Sequence, residues 1–273
     1  MEIFELQDTE EQTLLCLNYD FAQDWEMDRE QAFKPLGRAK DVKRFWNYNS
    51  LFKGVRILVA YESTSPVGHL EYIPIEAAPR PVQGENLTFI TCMYVQPKQR
   101  WHGVGAHLLE TCEEKAREQS GGLAVIAYPD SLFMPAGFFA EHGFTVVEEN
   151  DCAWLMTKTW QDVPQPKFLP RRYQPVPTSA GQTTVDLFWC GQCPFWAHAR
   201  DELLHVVHEL GQHVEVHEIN TDDRVVMEQW GIANGVFING ECAFLYPPSQ
   251  TEIRGKGLWS IHLPPLQAGA NPA

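Results

Sequence analysis

Short apolar runs set off by turn-forming residues dominate the first half of the chain. "EIFELQ" near the start, "VRILVAYES" (55–63), "VGHLEYIPIE" (67–76) and "NLTFITCMYV" (86–95) are rich in β-branched and aromatic residues and predict strands. The period changes at 103–119, where Val104, Leu108, Cys112 and Ala116 recur every four residues and predict a helix that Gly121 can end. A strand is expected at "LAVIAYP" (123–129) and a short helix at "FMPAGFFAEHGF" (133–144), closed by Gly143. "FTVVEE" and "CAWLMTKTW" read as strands, and residues 9 to about 50 carry mixed helical signals with aromatics among charges.

The pattern breaks at 161–182, "QDVPQPKFLPRRYQPVPTSAGQ", which holds five prolines and no apolar period. Proline stiffens the chain and removes donors, so a semi-extended linker is expected there. At 273 residues the chain exceeds the usual single domain of roughly 100–200 residues. The expected layout is a domain over 1–160, the linker over 161–182 and a smaller domain over 183–273. The smaller part reads strand (Val185–Trp189), helix (Pro194–Leu210), strand (His213–Ile219), helix (Asp222–Trp230), then the hairpin "GVFINGECAFLY" turning at Asn239–Gly240. The end, "PPLQAGANPA", reads as frayed. Both halves are α/β.

Composition narrows the class. Hydrophobic residues make up 44% and charged residues 21%, the balance of a globular protein. The formal net charge of -15 argues against nucleic acid or an anionic membrane as partner, since both require a basic face. No apolar run approaches the roughly 18 residues of a membrane span, and the acidic start lacks the features of a signal peptide, so a cytoplasmic setting is expected. Of seven cysteines (Cys16, Cys92, Cys112, Cys152, Cys190, Cys193 and Cys242), only Cys190 and Cys193 are spaced for chemistry. His205, His208, His213 and His217 straddle a helix end and a strand, and no zinc spacing appears, so no metal is expected.

The stretch "YVQPKQRWHGVGAHLLE" (94–110) carries the main chemical clue. A helix N-terminus exposes about four unpaired N–H groups and roughly half a positive charge. Gly103 and Gly105 leave that backbone bare and Arg100 adds a permanent charge, so the site suits phosphate or pyrophosphate. If the preceding strand splays from its neighbour, backbone near Met93 and Val95 is open to an extended amide ligand. Strand, "RWHGVGA" and helix together resemble the acyl-CoA loop of the GNAT superfamily of N-acetyltransferases, and "AGFFAEHGF" resembles the later helix of that family.

The resemblance covers about residues 1–160. It implies a mixed sheet with flanking helices, acetyl-CoA as cosubstrate, and contacts from Met93, Val95, Arg100, Trp101, His102, Gly103, Val104, Gly105, Ala106 and Phe138. It implies direct transfer to an amine of a small molecule or peptide, and it leaves a homodimer open. The tyrosine that serves as acid in many members is replaced here by Phe139. Candidates for acid or base are Tyr94, His69 and Glu71, with Tyr128, Glu141 and His142 behind them. His69 and Glu71 share a strand face by the two-residue period. Residues 20–53 fall where this fold covers the acceptor.

"VDLFWCGQCPFWAHARDELL" (185–204) places Cys190-x-x-Cys193 between a strand and a helix, and a thiol at a helix N-terminus is favoured as thiolate. The segment resembles thioredoxin and glutaredoxin domains, with Cys193 at the position of their nucleophile and Trp196 at that of the second cysteine. Asn234 stands where those folds present a cis-proline, and the chain end is short for a full last helix. This implies a small, incomplete thioredoxin-like domain, like the YoaP-like tail of some GNAT proteins. A Cys190–Cys193 disulfide remains open. The leading expectation is an acetyl-CoA-dependent N-acetyltransferase. The rivals are an acyl-CoA-binding regulator with weak or no catalysis, and a thiol-redox protein acting through Cys193.

Overall fold

Seven strands build the larger sheet of the computed structural model, which describes residues 1–6, 36–131, 133–150, 152–177, 182–210 and 214–255. In chain order the first half is β1 (Glu2–Glu5), α1 (Leu36–Leu51), β2 (Arg56–Glu62), β3 (Ser65–Pro74), β4 (Val82–Gln83), β5 (Thr88–Val95), α2 (Val104–Arg117), β6 (Gly122–Ala127), α3 (Ala136–Glu141), β7 (Thr145–Glu149) and β8 (Trp154–Thr159). The sheet order is β1-β2-β3-β5-β6-β8-β7. Only β5 and β6 run parallel within it. A parallel pair needs a crossover, and α2 supplies it.

The four-residue stripe of α2 is the reason it sits where it does. Val104, Leu108, Leu109, Cys112 and Ala116 are buried and pack on Leu58, Leu70, Ile90, Val125 and Phe139 of the sheet and α3. Each fully buried leucine contributes about 1.5–3 kcal/mol. The opposite face of the sheet buries Trp46, Ile73, Ile75, Leu87, Phe89 and Leu155, and one residue from the second half, Cys190.

After β9 (Lys167–Phe168) the second half runs β10 (Thr183–Trp189), α4 (Pro194–Leu210), β11 (Val214–Asn220), α5 (Arg224–Trp230), β12 (Gly235–Ile238), β13 (Glu241–Phe244) and α6 (Gln250–Gly255). Its sheet order is β11-β10-β12-β13, with β10 and β11 parallel and β12 antiparallel to both neighbours. Asp223 caps α5 by accepting from the Val225 N–H. The turn at Asn239 and Gly240, with φ of 50° and 85°, is the left-handed pair that the sequence predicts for a tight hairpin.

The segment expected to be a semi-extended linker carries contacts of its own. β9 pairs with β4, and the N–H groups of Leu169 and Arg172 donate to Pro81 and Trp230 carbonyls at 2.8 and 2.9 Å. Tyr173 stacks on Phe237 at 4.0 Å and donates its hydroxyl to Asp186 at 2.6 Å. Proline therefore extends this segment, but the segment is laid along both halves. The halves also meet directly, through Ala39 of α1 and Ala197 of α4 and through the Arg224 guanidinium, which donates to the carbonyls of Ala78, Arg80 and Val82.

Strand and helix boundaries differ from expectation by a few residues, most at the 133–144 helix, which is helical only over Ala136–Glu141. Residues 20–35 of the expected acceptor cover, Cys16, His213 and the segment 264–273 lie outside the described residues. No described helix is long and apolar enough to cross a membrane. Among the described residues no group of three or more His, Cys, Asp or Glu could hold a metal ion.

Candidate acyl-CoA site and the junction behind it

The splay of β5 from β6 builds the site. β5 is paired with β6 only from Thr88 to Ile90, yet it continues to Val95 while paired with β3 on its other edge. Beyond Ile90 one edge of β5 is open. Met93 and Val95 point their backbone groups into that opening by strand alternation, and Gln96 turns the other way, donating to the Val67 carbonyl at 2.9 Å. The opening is not bare. The Met93 N–H donates to Met134 Sδ at 3.1 Å, and the Val95 carbonyl accepts from Arg100 Nε at 3.3 Å.

One short turn over Pro97–Gln99 leads from β5 to the glycine loop. Gly103 takes φ 81° at the start of α2, without a side-chain cap. A side chain there would meet no other described residue within 4 Å. The first-turn N–H groups of Val104, Gly105 and Ala106 have no carbonyl four residues back inside the helix, and none bonds to another described residue. His102 and Trp101 are exposed, Trp101 at 97%. A Cβ on Gly105 would lie 3.4 Å from the Phe138 ring and 3.7 Å from Val95, so these three expected residues come together. Phe138 stacks on His142 at 4.3 Å, and His142 Nδ1 lies 2.7 Å from the Phe138 carbonyl. Phe139 is fully buried, its ring packed edge-on against Phe138 and Phe144.

The leading acid–base candidates, Tyr94, His69 and Glu71, lie elsewhere. Glu71 and His69 do share a face, as expected, but that face is turned to α1 and the second half and is closed to solvent. Glu71 is 2% exposed. Its Oε2 accepts from Lys43 Nζ at 2.5 Å, and its Oε1 accepts from Thr91 Oγ1 at 2.5 Å and Gln192 Nε2 at 2.8 Å. Burial pushes the carboxyl up, but the Lys43 charge and the three hydrogen bonds outweigh it and hold the group below its ordinary value. A carboxylate so engaged is a poor proton acceptor, and its contacts are those of a structural tie. Burial lowers His69 to about 4, so it is neutral near pH 7; its Nδ1 is buried without a hydrogen-bond partner. Tyr94 packs with Val42 and Phe195 around Ala39 and Ala197, at the junction of the halves. Cys92 is half-buried on the same face, its Sγ 3.8 Å from His69 Nε2, rather than in the core.

In the cysteine loop the two thiols differ. Cys190 and Cys193 are free thiols. Cys190 is fully buried; its Sγ donates to Asp222 Oδ1 at 3.2 Å, and the Gly191 N–H donates to the same oxygen at 2.8 Å. Burial, with Asp222 adding, pushes the Cys190 thiol well up, opposite to a redox-active thiolate. Asn234 holds this loop by accepting from the Cys190 N–H at 2.9 Å. Gln192, 3% exposed, reaches from the loop to Glu71 and accepts from Arg80 Nη2 at 2.8 Å. The Cys-Gly-Gln-Cys loop is thus inserted into the first half as a latch. Sequence reasoning missed Lys43, Thr91, Arg80, Gln192 and Met134; the one hint was a polar Gln between two apolar-flanked cysteines.

Residues 19–144 match the model of the acetyltransferase (GNAT) family. The chain is 27% identical over 131 residues to the uncharacterized N-acetyltransferase YoaP of Bacillus subtilis (strain 168), covering 46% of this chain and 51% of that protein. The match thus spans about half the length of the curated relative. Among solved structures, the PaiA N-acetyltransferase from Thermoplasma acidophilum in complex with coenzyme A aligns with a TM-score of 0.44 and 14% identity, covering 59% of this chain and 100% of that one. The ribosomal-protein-alanine N-acetyltransferase from Brucella melitensis aligns with a TM-score of 0.40 and 21% identity, covering 58% of this chain and 99% of that one.

Proposed function

We propose that the chain transfers an acetyl group from acetyl-CoA to an amine of a small molecule or peptide. The observation that carries this reading is the bare start of α2. Three N–H groups, bonded to no other described residue, stand beside Gly103 and Arg100, at the mouth of the opening between β5 and β6. The Val104, Gly105 and Ala106 amides would hold the pyrophosphate with Arg100, once its Nε leaves the Val95 carbonyl. Phe138 and Val95 would line the path beside Gly105, with Trp101 and His102 at its outer lip. The Met93 N–H would polarise the thioester carbonyl.

Phe139 is buried in the core and cannot donate a proton to the departing thiolate, so that proton comes from another group or from water. This observation favours a second reading, an acyl-CoA-binding regulator with slow chemistry. The thioredoxin-like reading of residues 183–273 is supported by the β11-β10-β12-β13 order, and the buried latch weighs against disulfide chemistry at Cys193. Titration calorimetry with acetyl-CoA tests the site, and release of free thiol from acetyl-CoA across an amine panel separates enzyme from regulator. Absence of acetyl-CoA binding sinks both readings.

A further inference from the structure

Met134 is buried, strained and bonded in an unusual way. It is 3% exposed and takes φ 48°, a left-handed backbone that non-glycine residues rarely adopt. Its backbone is pinned on both sides. The Tyr128 N–H donates to the Met134 carbonyl at 2.9 Å, and the Ala136 N–H donates back to Tyr128 at 3.0 Å. Its side chain reaches across to β5, where Sδ lies 3.1 Å from the Met93 nitrogen. A thioether is a weak acceptor, so this contact is replaceable by a carbonyl oxygen. Methionine has three rotatable bonds and can fold aside without moving its backbone.

We propose that Met134 is the residue that limits the acyl group this protein accepts: its thioether stops the Met93 N–H until a thioester carbonyl displaces it, and its folded side chain then forms the wall beyond the acyl carbon. This rests on the acyl-CoA reading of the site. The pinned backbone keeps the Met134 Cα from retreating, so the space on this side is what its side chain vacates. That space suits a short acyl group and rejects a longer one.

The test is calorimetric binding of free CoA, acetyl-CoA, propionyl-CoA and butyryl-CoA to the full chain and to Met134→Ala, Met134→Gly and Met134→Leu. The wild type should bind acetyl-CoA at least tenfold more tightly than butyryl-CoA. Met134→Ala or Met134→Gly should bring the two within about threefold, and Met134→Leu, which keeps the bulk, should retain the wild-type preference. A second measurement needs no variant fold: in a protein carrying 13C-methyl methionine, the Met134 methyl resonance should move on adding acetyl-CoA and stay with free CoA. CoA binding with the same acyl preference in wild type and Met134→Ala, or a Met134 methyl blind to acetyl-CoA, overturns the proposal and leaves the acyl-CoA reading standing. Failure of the wild type to bind any of the four overturns both.

Discussion

Replacing Glu71 by leucine should unfold the protein far more readily than any loss of catalysis would suggest. Glu71 and Lys43 are each 2% exposed and meet at 2.5 Å. Removing the carboxylate leaves a buried ammonium without its partner, a change that costs about 3–5 kcal/mol. It also takes the acceptor from the Gln192 amide, worth about 1–3 kcal/mol when left unmet. Thr91 loses less, because its hydroxyl also reaches the Glu71 backbone carbonyl at 3.2 Å. The double variant Lys43→Met/Glu71→Leu removes both charges, and such swaps of a buried pair for apolar residues are often near neutral. It should therefore recover all but the Gln192 contribution, leaving a coupling of about 2 kcal/mol or more between the two sites. Urea unfolding followed by tryptophan fluorescence, with wild type, both single variants and the double, measures this cycle. Glu71→Gln supplies the contrast: a catalytic base would give a well-folded variant with acetyl transfer abolished, whereas a tie gives a destabilised one. A Glu71→Leu variant within about 1 kcal/mol of wild type, or a double variant no more stable than the worse single, refutes the reasoning.

Acid should weaken the fold through His69. Its folded value of about 4 lies below the 6.5 of the unfolded chain, so the unfolded state takes up a proton first. Stability is lost as pH falls from 6.5 toward 4, by about 3 kcal/mol in all, and Glu71, held low in the fold, adds a loss in the same direction further down. Melting temperature against pH should show this slope, and His69→Gln should flatten its upper part. At the glycine loop, Gly105→Val would cover the first-turn amides and press on Phe138, reducing CoA affinity at least tenfold in calorimetry with little change in melting temperature. Arg100→Ala should weaken the same binding by about 1.5–3 kcal/mol. In timed alkylation with peptide mapping, Cys193 should label at least tenfold faster than the fully buried Cys190, which should react only when the protein unfolds; equal rates would refute the latch geometry.

What was legible in the sequence is what neighbouring residues decide among themselves. The stripe of α2 shows because four-residue spacing is a local rule, and the Asn239–Gly240 turn because only certain residues accept its left-handed backbone. The start of α2 at 104–106 shows for the same reason: the first amides of a helix lack intrahelical partners whatever lies elsewhere. The polar residues of the junction obey no such rule. Lys43 and Glu71 are 28 positions apart, Met93 and Met134 41, and Gln192 and Glu71 121. No period or spacing announces which carboxylate will lose its water.

Glu71 reads as a base on an exposed face until α1 and the second half cover it, and burial then turns the same carboxylate into an anchor. Cys190 changes character by the same route. The favourable charge environment of a helix N-terminus assumes a thiol that meets solvent. A Cβ on Gly191 would lie 3.3 Å from Val42 and Trp46, so there is no room for solvent at Cys190. Burial costs a thiolate more than the helix terminus returns, and Asp222 adds a negative neighbour, so the thiol keeps its proton. Gln192 escapes that cost because a neutral amide can be buried whenever its hydrogen bonds are met, and Glu71 and Arg80 meet them. A loop that would serve redox chemistry in water therefore serves recognition when buried, and the residue that fits it for this is the glutamine between the two cysteines.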